Sequence, residues 1–168
     1  MVIKNNIIAE VITDTHVYFW GGIFSQWYTS SNQIFKDGIY FDNAEQFMMY
    51  QKAQLFEDYA TAKKILENSN PRTAKKLGRK VKNFNENIWV QHREKIVEEG
   101  NILKFSQNKY LKNELLKLKD KTFVEASPYD KIWGIGLSYD NPLIYNEENW
   151  KGLNLLGKII TEVANKIK

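Results

Sequence analysis

The chain has 168 residues, 43% hydrophobic and 14% aromatic, and this length and composition predict one globular domain over residues 1–168. The absence of Cys excludes a disulfide framework, a thiolate nucleophile and a thiolate zinc site. Twenty-four Lys and Arg against 20 Asp and Glu give a net charge of +4, which mildly favours an anionic ligand.

The sequence shows no targeting or membrane signal. Its first residues lack the long apolar core of a signal peptide, and no stretch approaches the roughly 18 apolar residues of a membrane helix. We therefore expect a soluble, cytoplasmic protein with no membrane partner.

Short strands are predicted near the beginning of the chain and again after its middle. They lie at residues 7–12, 17–20, 34–35, 39–41 and 121–125, and the Asp37-Gly38 turn joins the third to the fourth as a hairpin. Residues 21–32 form a predicted loop that nevertheless holds two large rings, Phe24 and Trp27. Large rings in such a loop usually pack on the protein core or contact a ligand.

Helices are predicted over most of the remainder. They are expected from Ala44 to about Phe56 behind the caps Asp42 and Asn43, at 58–68, at 71–77 with Gly78 as the stop, at 86–105, over Leu111 to Leu118, and from Asn154 to about Ile167. Short strands mixed irregularly with helices favour an α+β fold, mostly helical, over a doubly wound parallel sheet.

Four side chains in the helical stretch are candidates for chemistry. Glu45 falls in the first turn of a helix, where the dipole favours a carboxylate whether or not it is catalytic. Lys52, two turns along the same face, points toward the same ligand or lies in solvent. Arg79 follows a helix end, where it either holds a phosphate through paired hydrogen bonds or is an ordinary surface residue. Trp89 lies on an apolar stripe, which favours a core position.

Residues 125–136 form the most unusual segment, because two carboxylates and Trp133 sit between a strand and a loop with two glycines. A strand end feeding such a loop is a common place for catalytic groups. Asp130 is of the type used as an acid or base, and a local turn cap is an equal reading. Trp133 and Trp89 together could sandwich a base.

Other chemistries are less well supported. The two His residues form no metal-ligand pattern, and no nucleophile elbow is present. Gly134-Ile-Gly136 lacks the third glycine of a dinucleotide fingerprint. Metal chemistry and dinucleotide binding are therefore weakly supported by these patterns.

Taken in order, these segments resemble the NADAR family, the YbiA-like N-glycosidases. The resemblance covers about residues 18–160, and the ordered set is specific although each piece alone is weak. The segments are Phe24-Ser-Gln-Trp27, Asn43-Ala-Glu45-Gln-Phe47, Gln51-Lys52-Ala53, Leu77-Gly-Arg79, Trp89 with Arg93, Lys104-Phe105-Ser-Gln107-Asn108, Glu125-Ala-Ser127, Asp130-Lys-Ile-Trp133-Gly-Ile-Gly136 and Asn154-Leu-Leu-Gly157-Lys158.

The resemblance implies hydrolysis of the ribose C1–N bond in aminopyrimidine ribose phosphates, the first intermediates of riboflavin biosynthesis. Other members of the family act on ADP-ribose attached to nucleic-acid guanine. Carried over by position, the resemblance implies catalytic roles for Glu45, Asp130 and Trp89. It also implies a substrate pocket that contains Lys52, Arg79, Trp133, Phe24 and Ser25. With these groups, the implied reaction needs no metal and no organic cofactor.

Two points stay open at this stage. Gln26-Trp27 departs from the Asn-Phe that the family often has, which leaves the substrate undecided between a small phosphoribosylated molecule and ADP-ribosylated nucleic acid. A module that binds nucleotides or RNA without chemistry is the alternative from another class. Because an anion binder gains nothing from carboxylates in its pocket, Glu45 and Asp130 in one cleft would favour an enzyme.

Overall fold

The computed structural model describes residues 2–4 and 7–168, with side chains from Glu10 onward, and confirms the predicted α+β class. Over residues 10–168, helices together with the 3₁₀ turns hold 48% of the residues and strands 11%. The helices are α1 Ala44–Leu55, α2 Tyr59–Leu66, α3 Pro71–Gly78, α4 Glu86–Gln107, α5 Lys109–Leu116 and α6 Leu155–Lys166, with 3₁₀ turns at Pro142–Tyr145 and Glu147–Asn149. The strands are β1 Val2–Lys4, β2 Ile7–Ile12, β3 His16–Phe19, β4 Ile34–Lys36, β5 Ile39–Phe41 and β6 Thr122–Glu125. None of the helices in the described ranges has the length and apolar character needed to span a bilayer.

The chain forms two compact units, each with its own core. The sheet unit comprises residues 1–25 and 113–168, and the helical unit comprises residues 26–112. The expectation of one domain over the whole chain stays a prediction.

The sheet unit is built on a four-stranded sheet in the order β1-β2-β3-β6. The first two pairs are antiparallel, whereas β3 and β6 run parallel, with His16 opposite Thr122 and Phe19 opposite Glu125. Because the carboxyl ends of parallel strands meet at one edge of a sheet, Trp20 and the start of the 125–136 segment share that edge.

Helix α6 packs against β6 in the same unit, and two of its first residues explain how. A Cβ on Gly157 would overlap the carbonyl oxygen of Phe123, so glycine permits the close approach of helix and strand. The Asn154 side chain donates to that carbonyl at 3.1 Å and accepts from the Glu125 amide at 3.0 Å. These contacts fix the end of β6, from which the 125–136 segment leaves.

The helical unit packs α1 against α2, α3 and α4, with the β4–β5 hairpin covering one end of its core. The predicted stop at Gly78 is wrong by one residue, because α3 includes Gly78 and is capped by Arg79. A Cβ at position 78 would overlap the Met49 sulfur, so this glycine serves close packing of α3 on α1 rather than termination.

Candidate active site

Glu45 is held at the amino-terminal end of α1. The Asn43 side chain caps this helix by accepting from the Gln46 amide at 2.9 Å, as the sequence predicted. The Glu45 amide donates to the Gln26 carbonyl at 2.9 Å, and the Glu45 side chain is 5% exposed. Glu45 is therefore buried in the first turn of α1, at the positive end of the helix dipole.

Lys52 extends from the same helix toward two aromatic rings. It follows Glu45 by seven residues, about 10.5 Å along the helix axis. Its Nζ lies 4.4 Å from the centroid of the Phe84 ring and 5.3 Å from that of Trp89. Both distances are in the range of cation–π attraction. The half-buried ammonium group is thus oriented toward Phe84 and Trp89 rather than free in solvent.

Charged groups converge around this lysine. Burial lowers the pKa of Lys52, the charges of Glu86 and Glu45 raise it, and the charge of Arg79 lowers it again. The helix geometry agrees, because Glu45 and Lys52 lie on the face of α1 that also carries Met49, and the residue before Arg79 packs on Met49. Glu45, Lys52 and Arg79 therefore share one neighbourhood, and Glu86 is a second carboxylate that the sequence did not indicate.

The segment between α3 and α4 is held in place by Asp58. Its carboxyl oxygens accept from the Lys82 amide at 2.9 Å and from the Thr61 amide at 3.2 Å. These hydrogen bonds lower the pKa of Asp58, and the bond from the Lys82 amide has the largest effect. Phe84, two residues after Lys82, remains 43% exposed and packs edge-on against Phe56 at 5.3 Å. Asp58 thereby helps to place the Phe84 ring beside Lys52.

Trp89 is buried, as its spacing predicted. It is 7% exposed, and Lys52 lies over its ring. Phe84 offers much more free ring surface, although sequence reasoning did not single it out. A large ring between Asn83 and Asn85, just before a helix cap, was the signal in the sequence that could have identified it.

In the sheet unit, Asp130 organises a turn. Its Oδ1 accepts from the amides of Ile132 at 2.9 Å and Trp133 at 2.8 Å. The turn is packed tightly, because a Cβ on Gly134 would lie 2.9 Å from the Glu125 carbonyl oxygen. Asp130 therefore caps the turn, as one of its two predicted roles required, and uses one of its two carboxylate oxygens to do so. Trp133 is half-buried in the same turn.

Phe24 and Ser25 occupy different environments in the sheet unit. Phe24 is 1% exposed and packs against Phe123 at 5.0 Å and Phe19 at 6.0 Å between ring centroids. The Phe24 ring therefore lies in the apolar core, and its predicted contact with substrate stays a prediction. Ser25 is half-buried, and its amide donates to the Gly22 carbonyl at 3.2 Å.

The predicted site residues thus fall into two groups. Glu45, Lys52, Arg79 and Trp89 lie together in the helical unit, whereas Asp130, Trp133 and Ser25 belong to the sheet unit. The convergence of Glu45 and Asp130 on one cleft stays a prediction. Within residues 10–168, no three His, Asp or Glu side chains are grouped as a metal site would require.

Lys104 is a further unusual group that sequence reasoning did not place in the site. It is 4% exposed on α4, with its Nζ 4.9 Å from the centroid of the Phe105 ring and 5.7 Å from that of Tyr28. Burial lowers the pKa of Lys104 to about 7. Its position in the apolar run Ile102-Leu103-Lys104-Phe105 was the available signal.

The family model of the NADAR domain matches residues 18–168. This chain belongs to the NADAR family. The resemblance predicted from the ordered motifs is therefore confirmed, and the mostly helical fold agrees with it. The NMR structure of YbiA from Escherichia coli superposes with a TM-score of 0.74 at 25% identity, covering 99% of this chain and 92% of that one.

Curated relatives of this NADAR protein are similar over most of its length. It is 46% identical over 165 residues to an N-glycosidase of Acanthamoeba polyphaga mimivirus, covering 92% of this chain and 97% of the relative. It is 29% identical over 147 residues to an N-glycosidase of Nostoc punctiforme, covering 88% and 86%. Protein irg-1 of Caenorhabditis elegans is 38% identical over 129 residues, covering 76% of this chain and 61% of that protein. The names of the first two agree with the predicted class, a hydrolase of N-glycosyl bonds.

Proposed function

We propose that this NADAR protein hydrolyses the ribose C1–N bond of a phosphoribosylated aminopyrimidine of the kind formed early in riboflavin biosynthesis. The observation that carries the proposal is the cluster in the helical unit, in which the buried Glu45 lies on the face of α1 that carries Lys52 and packs against the end of α3 at Arg79. A protein that only binds anions gains nothing from that carboxylate, whereas a glycosidase needs one to stabilise the positive charge that forms on the ribose. The N-glycosidase names of two relatives support the bond type.

The reaction explains why a carboxylate is needed. As the C1–N bond breaks, its electron pair moves to the base nitrogen and the ribose carbon gains positive charge. A carboxylate fixed nearby stabilises that charge, and it does so more strongly in a buried site than in water. The oxygen of water then bonds to C1 while one of its protons passes through a carboxylate to the departing nitrogen. The products are free base and ribose phosphate. We assign the stabilising role to Glu45.

Binding is divided among the remaining groups. Arg79 is exposed at the end of α3, and its planar guanidinium suits paired hydrogen bonds to phosphate. Lys52 supplies a second positive charge. The exposed face of Phe84 suits stacking on the base, and Trp89, largely buried beneath Lys52, supports that lysine. For Asp130, Trp133 and Ser25, a part in the same reaction is proposed from the family resemblance.

The test is release of free base from defined substrates by the purified protein, followed by mass spectrometry. The panel contains phosphoribosylated aminopyrimidines, their dephosphorylated forms, NAD, ADP-ribose and ADP-ribosylated DNA. Release from the first group supports the proposal. Release from ADP-ribosylated DNA alone would transfer the assignment to that substrate class, and binding without release from any compound would indicate a nucleotide-binding module.

Substitution of the carboxylate tests the mechanism. Glu45→Gln keeps size and part of the hydrogen bonding but deletes the charge, so kcat should fall on the order of 10² or more. Glu94→Gln, at an exposed position of α4, is the matched control and should retain the wild-type rate. A folded Glu45→Gln protein that turns over like wild type would overturn the carboxylate mechanism.

A further inference from the structure

A chain of buried hydrogen bonds connects α4 to the first turn of α1. The Asn101 Nδ2 donates to Gln26 Oε1 at 2.9 Å and to the Val97 carbonyl of its own helix at 2.8 Å. The carbonyl of Gln26 in turn accepts from the Glu45 amide at 2.9 Å. Gln26 is 8% exposed and Asn101 is fully buried. Asn101 and Gln26, which are 75 positions apart in sequence, are thus bonded to each other next to the backbone of Glu45.

The free energy of folding does not by itself explain Asn101. Both hydrogens of its Nδ2 are donated, but its buried Oδ1 accepts no hydrogen bond within the described residues. Such an unsatisfied acceptor costs about 1–3 kcal/mol, and an apolar side chain of the same size would avoid that cost. Packing alone therefore does not account for an amide at position 101, whereas the bond from this amide to Gln26 does.

We propose that Gln26 and Asn101 are positioning residues that fix Glu45 for the hydrolysis proposed above, on which this inference rests. The Glu45 amide is one of the helix-start donors that have no partner inside the helix. Its bond to the Gln26 carbonyl sets where the chain enters α1, and Asn101 anchors the Gln26 side chain. Loss of the anchor lets residue 26 and the first turn shift together, and shifts of about 1 Å at a catalytic group cost about 10²-fold in rate.

Two variants remove the amide–amide bond and nearly preserve volume, Asn101→Leu and Gln26→Met. The double variant tests whether the two act through one contact. Asn108→Leu is the matched control, since Asn108 is a buried amide at the end of the same helix that donates to Ser30 Oγ at 2.9 Å. It makes no link to residue 45 through these bonds.

We expect each single variant to lower kcat by about tenfold or more while KM for a phosphorylated substrate changes by less than about twofold, because Lys52 and Arg79 are untouched. The double variant should be no slower than the worse single variant, since both changes break the same bond. Asn108→Leu should lose stability but keep kcat. Hydrogen exchange of the Glu45 amide, followed by NMR, should be faster in Asn101→Leu and Gln26→Met and unchanged in Asn108→Leu.

Folded variants with wild-type kcat and wild-type exchange at the Glu45 amide would overturn the inference. Gln26→Met changes a loop residue and decides the question should Asn101→Leu fail to fold. If the wild type releases no base from any substrate, the proposed function fails, and the exchange rate of the Glu45 amide still tests whether the amide pair positions it.

Discussion

The buried lysine on α4 should make the stability of this protein rise with pH. Lys104 is 4% exposed, and burial lowers its pKa to about 7 from an ordinary value of 10.5. Between these two pH values the unfolded chain carries a proton on Lys104 that the folded protein has given up. Because the unfolded state then binds more protons, raising the pH favours the folded state. Lys104→Met removes this dependence.

The size of the effect follows from the two pKa values. Over the whole interval between them, the wild type should gain about 5 kcal/mol in unfolding free energy relative to Lys104→Met. Between pH 7 and pH 9 the expected gain is about 2 kcal/mol, since the folded protein is still half protonated at the lower limit. Below pH 6 both states are protonated, and the difference between wild type and variant should no longer change.

Urea unfolding of wild type and Lys104→Met from pH 6 to pH 9 measures this directly. Lys95→Met is the control, because Lys95 is exposed on the same helix and its loss should leave the pH dependence parallel to wild type. If the wild-type and Lys104→Met stabilities stay parallel within about 0.5 kcal/mol from pH 7 to pH 9, the argument from burial is refuted.

Three further results are expected. Arg79→Ala should raise KM strongly for a phosphorylated substrate and little for its dephosphorylated form. The control is Arg72→Ala, at an exposed position of the same helix, which should change neither KM. Equal effects of Arg79→Ala on both substrates would mean that Arg79 is structural. Asp130→Asn retains an oxygen to accept from the turn amides, so it should fold and lose about 10² in rate if the charge is used, whereas an unchanged rate would leave Asp130 as a turn cap alone. Asp58→Ala should destabilise the protein at neutral pH, and because the pKa of Asp58 is lowered on folding, the difference from wild type should shrink as the pH falls through that pKa. A difference in unfolding free energy that stays constant down to acid pH would contradict the role given to Asp58.

Much of the secondary structure could be predicted because short-range interactions determine it. Asn43 caps α1 through the amide three residues later, and Pro71 begins α3 at the position that tolerates a missing amide hydrogen. The Asp37-Gly38 pair turns the hairpin with both residues at positive φ. Each of these choices depends on a few neighbouring residues, so the predicted helices and strands lie within about two residues of the observed ones. Strand β1 was not predicted.

The candidate site stays a prediction. The ordered motifs proposed Glu45, Lys52, Arg79 and Trp89, and the structure places all four in the helical unit. The prediction that Gly78 ends α3 was wrong, because this glycine allows close packing against Met49 and does not terminate the helix. A local rule cannot distinguish these two uses of glycine, because the second depends on a side chain from another helix.

The sequence by itself determined the elements, the family and the types of residue available for chemistry, since these follow from local propensity and from motifs in order. Tertiary structure alone decided what each side chain experiences. Packing buries Phe24 in the core, removes Lys104 from water and leaves the Phe84 ring exposed beside Lys52. Solvation, pKa and access are set by groups far away in the chain, which is why Asn101 could join Gln26 behind Glu45 without any local trace in the sequence.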